Sequence, residues 1–99
     1  MKLEELSCEH FAPLVNKKFQ IQADRPAIEV ELIEARTLGR GRNGRREPFS
    51  LIFRGPTSLV LPQRIYTVQS EALGALDIFL VPIGPDQAGT GMLYEAIFT

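Results

Sequence analysis

"PFSLIFRG", Pro48 to Gly55, decides what kind of structure this chain forms. Read with a two-residue period, Phe49, Leu51 and Phe53 fall on one side and Ser50, Ile52 and Arg54 on the other. Alternation of this kind is the mark of a strand with one face against a core, because successive side chains of an extended chain point to opposite sides. At helical spacing the same residues would be scattered around the axis. The segment is therefore predicted to be a strand, bounded by Pro48 before it and Gly55-Pro56 after it.

The same period recurs on either side. Phe19 to Ala23, "FQIQA", alternates, and in "IEVEL" Ile28, Val30 and Leu32 oppose Glu29 and Glu31. Immediately afterwards the pattern slips, because Leu32 and Ile33 are adjacent apolar residues and Ala35 continues the register of Ile33. Keeping both halves buried calls for a β-bulge or sharp bend near Leu32 to Glu34, a device that curls sheets. "IYTVQ" sets Tyr66 and Val68 against Thr67 and Gln69, and "MLYEAIF" sets Tyr94, Ala96 and Phe98 against Glu95 and Ile97. In "LDIFLVPI", Leu76, Ile78 and Leu80 oppose Asp77, Phe79 and Val81, so this strand is apolar on both faces. That predicts a central strand, or one covered by a helix. Turn signals separate the runs at Arg25-Pro26, Gly39 to Glu47, Gly55-Pro56, Leu61-Pro62-Gln63, Leu73-Gly74 and Gly84 to Gly91.

One helix precedes them. In "LSCEHFAPLVNKKF", Ser7 is suited to cap a helix and Glu9 to its first turn, with Leu6 before the cap packing on Phe11 four residues after it. Pro13 limits the helix to one or two turns, or opens a second helix as its first-turn residue. Either way Phe11, Leu14 and Val15 face a core. The fold class expected is all-β: a small antiparallel barrel or curled meander of about six strands with a short N-terminal helix, one domain over residues 1–99.

Composition supports an independent domain. Hydrophobic residues make up 44% and charged residues 23%, far from disordered compositions. A formal net charge of −1 supplies no overall field toward phosphate backbones or anionic membranes, so any basic footprint is local. Cys8 is the single cysteine, which excludes an internal disulfide and a cysteine zinc cluster within one chain. The start "MKLEELSCEH" has no apolar run of signal-peptide length, and no segment approaches the roughly 20 apolar residues of a spanning helix. The expectation is a soluble cytoplasmic protein without membrane association.

The local basic footprint is "GRGRNGRRE", Gly39 to Glu47, with four arginines and three glycines. Hairpins normally close with about 2–5 residues, so this segment is long for a simple connection. Arg40, Arg42, Arg45 and Arg46, with Arg36 beside them, form a candidate partner-contact loop or a clamp on nucleic acid. Nucleic acid is disfavoured, because no aromatic residue is interleaved for base stacking and ordering a glycine-rich loop is entropically unfavourable. Glu29, Glu31, Glu34 and Glu47 also offer nearby countercharge, and a solvated turn is the simpler reading.

No other constellation carries chemistry. His10, the single histidine, is two residues from Cys8, a spacing that puts them on different helix faces. A metal at Cys8, Glu9 and His10 would need ligands from elsewhere, and none is nominated. Asp77 and Glu95 lie on strands and read as countercharge for Arg54 or Arg64 rather than as a catalytic pair. "GPDQAGTG" lacks the lysine of a phosphate-binding loop and reads as a turn. Phe49, Leu51 and Phe53 resemble a base-stacking platform, yet the single apolar face of a small domain is ordinarily its core. No catalytic residue, cofactor or metal is expected.

At "REPFSLIFRGP", "LPQRIYTVQSEALGALDIFLVPIGPD" and "MLYEAIF", and at "FAPLV" in the helix, the chain resembles a bacterial family of about this length classed as a domain of unknown function. Arg64 stands where the family pattern has glycine. The resemblance implies a bacterial, non-enzymatic assembly accessory, associated with tail-collar or fibre-like proteins. The function expected is thus protein–protein interaction, with a nucleic-acid-binding barrel using the Arg40–Arg46 loop as the alternative. A homodimer through an open sheet edge is a further expectation.

Overall fold

A computed structural model describes residues 3–22, 27–39 and 47–99. Six strands form a closed, wholly antiparallel barrel: β1 (Lys18–Gln22), β2 (Ile28–Thr37), β3 (Phe49–Gly55), β4 (Arg64–Ser70), β5 (Gly74–Pro85) and β6 (Met92–Phe98). Around the wall the order is β1-β2-β3-β6-β5-β4, with β4 returning to β1. Two three-stranded meanders are therefore joined along two seams, β3–β6 and β1–β4.

The inward row is the one the alternation selects. Phe19, Ile21, Val30, Leu32, Phe49, Leu51, Phe53, Tyr66, Val68, Leu76, Ile78, Leu80, Tyr94, Ala96 and Phe98 are all buried. The expected slip in β2 is present: Leu32 pairs with Phe53 and Glu34 with Ile52, so Ile33 is the extra residue. β5 carries a second bulge between Pro82 and Gly84, with Gly84 at φ +115°, a conformation that L side chains rarely adopt. These bulges let each long strand serve two neighbours. β2 pairs with β1 through its first half and with β3 through its second, and β5 divides itself between β4 and β6 in the same way.

Both mouths are stoppered. At one, α1 (Cys8–Phe11) runs into a 3-10 turn over Ala12–Leu14, so Pro13 both ends the first helix and opens the second turn. Ser7 is the N-cap, and its N–H donates to His10 Nδ1 at 3.0 Å, the histidine standing where a capping box ordinarily has Glu or Gln. Leu6 and Phe11 are fully buried in the core. The Phe11 ring lies 5.8 Å from Phe49 and 5.9 Å from Phe98, and those two stack at 4.6 Å. Asn16, at φ +74°, then turns the chain into β1, and its N–H donates to the Leu32 carbonyl.

At the other mouth, the chain from β3 to β4 joins strands that are not neighbours in the wall and so passes over the opening. Leu61 drops into the core, its N–H donating to the Tyr94 hydroxyl at 2.9 Å, and the Tyr66 hydroxyl donates to the Pro62 carbonyl. The β5–β6 hairpin closes over this end, and a methyl group at Gly91 would stand 2.4 Å from Arg54 Cγ. Glycine is required there by close approach.

Because Phe11 is fully buried against Phe49 and Phe98 at this mouth, Phe11→Ala should lower stability by about 3–5 kcal/mol in urea unfolding. A loss below about 1 kcal/mol would mean that the helix is not part of the core.

Candidate interaction surface

The outer wall has two halves of opposite character. On β1 and β2 it presents Lys18, Gln20, Gln22, Glu29, Glu31, Glu34 and Arg36, most of them paired with neighbouring side chains. Lys18 pairs with Glu29 at 3.0 Å, Arg36 with Glu34 at 3.8 Å and Arg54 of β3 with Glu31, while Gln22 bonds Gln69 across the β1–β4 seam at 3.2 Å. Such exposed pairs add little stability each. Their effect is to leave this side charged, compensated and wet.

On β4, β5 and β6 three outward positions, Ile65, Phe79 and Ile97, are large and apolar, set among the outward polar residues Thr67, Asp77 and Glu95. Ile65 pairs directly with Phe79, and Ile97 lines the same depression as both. These three residues are 64%, 49% and 59% exposed. Ile97 in turn pairs with Ser50 of β3, which is buried, so the exposed part of the row spans β4, β5 and β6. In the next row, half-buried Val81 and Ile52 flank Glu95. Leu3, Ile65, Asp77, Phe79, Ile97 and Thr99 are among the residues lining a shallow depression centred on this belt. A large aromatic and two β-branched side chains clustered on one exposed face stand out from the scattered apolar residues of an ordinary surface.

β5 is indeed apolar on both faces, but nothing among the described residues covers its outer one. The helix stops the mouth of the barrel instead of packing on the wall. The alternation that singles out "LDIFLVPI" and sets Ile97 opposite Tyr94, Ala96 and Phe98 thus locates a surface, which Ile65, not assigned a face by that pattern, completes. Closure also removes the open sheet edge on which homodimerisation was expected.

The remaining candidates fall into place individually. Arg40, Arg42, Arg45 and Arg46 lie outside the described residues. Three of the acids expected to neutralise them, Glu29, Glu31 and Glu34, are engaged by Lys18, Arg54 and Arg36. Asp77 and Glu95 are not countercharge for Arg54 or Arg64. Arg54 is held by Glu31, the Arg64 guanidinium lies over the Tyr66 ring 5.0 Å from its centroid, and Asp77 accepts a 2.7 Å hydrogen bond from Thr67 Oγ1. "GPDQAGTG" is a hairpin turn organised by Asp86, which accepts bonds from the Thr90 N–H and hydroxyl. Desolvation pushes the Asp86 carboxyl up, but the combined bonds from Thr90, Gly91 and Gly89 outweigh it and hold the group below its ordinary value. The Phe49, Leu51 and Phe53 face is the barrel interior.

His10 is occupied as a helix cap, with Nδ1 facing the Ser7 backbone and hydroxyl. Burial first, then the carboxylates of Glu47 and Glu9, push the Cys8 thiol above its ordinary value. Among the described residues no three of His, Cys, Asp and Glu are arranged to hold a metal, and no helix is long and apolar enough to cross a membrane.

Because the thiolate is the reactive species, Cys8 should react with iodoacetamide at neutral pH more slowly than free cysteine, and as fast once the protein is unfolded in urea. Faster reaction in the folded protein would reveal an activated thiol.

No curated protein and no solved structure matches this chain. The family model described as a domain of unknown function, DUF6916, matches residues 6–98, from the residue before the helix cap to the last residue of β6. The chain belongs to that family.

Proposed function

We propose that this domain is a non-enzymatic protein-interaction module, an accessory to assembly, and that it binds its partner through the belt of Ile65, Phe79 and Ile97. The observation that carries the reading is the exposure of these three side chains together on one rigid wall. Burying apolar area of this kind is the main favourable term in protein association, and a central aromatic with aliphatic neighbours is a common composition for an interface core. Rigidity adds to it. The belt is mounted on hydrogen-bonded strands over a packed interior, so little ordering is required of it on binding.

An association with tail-collar or fibre-like proteins is the finer form of the proposal, and the family resemblance supports it. An elongated assembly would use a small barrel of this kind as a bound adaptor, its polar half facing water. The described residues favour no catalytic reading: the single thiol is suppressed, the single imidazole caps a helix, and Asp77 is engaged by a neighbouring hydroxyl.

The test is affinity capture from extract of the native host, comparing the wild-type chain with an Ile65→Ser, Phe79→Ser, Ile97→Ser variant. The variant should keep its melting temperature, since all three residues point away from the core, and should lose the partner that the wild type retains. Central anchors cost about 2 kcal/mol or more each when truncated, so the loss should be complete at micromolar concentration. An identical set of proteins retained by both forms, or capture abolished by nuclease, would contradict the proposal.

A further inference from the structure

The belt is not purely apolar, and its charges indicate what it accepts. Each of the two central strands places a carboxylate two residues from its exposed apolar side chain on the same face: Asp77 beside Phe79 and Glu95 beside Ile97. Asp77 lines the depression itself. Its Oδ1 accepts the bond from Thr67 Oγ1, and the residue is exposed. Among the described residues neither Asp77 nor Glu95 forms an ion pair, in contrast to Glu29, Glu31 and Glu34 on the opposite wall. Acids are compensated where the wall is polar and left open where it is apolar.

This distribution discriminates among occupants. A second copy packed face to face about a two-fold axis would bring both carboxylates of each chain into one interface, and the cation nearest in sequence, Arg64, is drawn over Tyr66. An anionic membrane or a nucleic acid would meet the same repulsion. A protein segment with apolar side chains flanked by Lys or Arg meets neither objection. Its apolar groups match the depression and its cations match Asp77 and Glu95.

Resting on the interaction reading above, we infer that the belt's partner is a basic, apolar protein segment, which seats an apolar side chain among Ile65, Phe79 and Ile97 and pairs its cations with Asp77 and Glu95. Thr67 acts as a positioning residue. Its hydroxyl holds Asp77 in the orientation that a partner cation meets, and it does not touch the partner's apolar anchor.

The experiment is an NMR titration of the full chain with two probes, a helical leucine–lysine peptide and a leucine–glutamate peptide of equal length and pattern. The lysine peptide should shift the amides of β4, β5 and β6 around residues 65, 79 and 97. Its affinity should fall by about fivefold in the Asp77→Asn, Glu95→Gln variant. It should also fall as salt is raised from about 0.05 M to about 0.5 M. Thr67→Val should weaken binding, and Thr67→Ser should restore it. Equal binding of the glutamate peptide, or an unchanged affinity in the Asp77→Asn, Glu95→Gln variant, would overturn the charge assignment while leaving the belt as an interface. Silence toward both peptides would overturn it as well, and the capture experiment with the serine variant would then judge the belt independently. Sedimentation with phosphatidylglycerol vesicles or with a single-stranded RNA, or dimerisation that the Phe79→Ser change abolishes, would each assign the surface to another occupant and overturn the inference.

Discussion

Closure of the β1–β4 seam is the constraint on which the rest of this structure depends. Three register pairs, Gln20 with Gln69, Ile21 with Val68 and Gln22 with Thr67, turn two meanders into one continuous wall. Once the wall is closed, every second side chain has a single enclosed interior to enter, and no strand edge is left for another chain to extend. The cylinder must then be stoppered at both ends. Leu6 and Phe11 from the N-terminal turns do this at one mouth, and Leu61 from the crossing chain does it at the other. The bulges at Ile33 and Ile83 belong to the same requirement, because a strand that serves two neighbours in a tight barrel has to coil.

A closed barrel of this size has only its outer wall and rims with which to meet other molecules. On this chain the wall is divided. The β1–β2 side is a set of mostly paired charges and amides, and the β4–β5–β6 side is an apolar belt with two unmatched carboxylates. The division follows from strand parity, since the two faces of each strand are set independently, and β5 is apolar on both. Inward apolar residues serve the fold. Outward ones contribute nothing to the interior, and the proposed function assigns Ile65, Phe79 and Ile97 to association.

Much of the architecture was legible from the alternation alone. The six strands, the slip after Leu32, the cap at Ser7 and the stop at Pro13 each follow from local chemistry, and local chemistry is what a single sequence displays. Non-local geometry was less accessible. Parity shows that Phe79 points away from Ile78, but not whether a helix lies over it, so a bare wall and a covered wall read alike. Alternation does not distinguish a barrel from a curled meander, and closure removes the open edge on which the homodimer expectation rested. The charge partners were misassigned for the same reason: Arg54 meets Glu31 because β2 and β3 are neighbours in register, a pairing that sequence separation does not reveal. The second bulge has a signal, Pro82 and Gly84 flanking Ile83, that the strand-then-turn reading of this stretch does not use.

Hydrogen exchange across the β1–β4 seam tests the central claim most directly. If the wall is closed, the amides of residues 20–22 and 67–69 that point across the seam should exchange only with global unfolding, as slowly as those of the longer β3–β6 seam. Rapid exchange at these positions, while β3 and β6 stay protected, would show an open sheet with two free edges and would contradict the account.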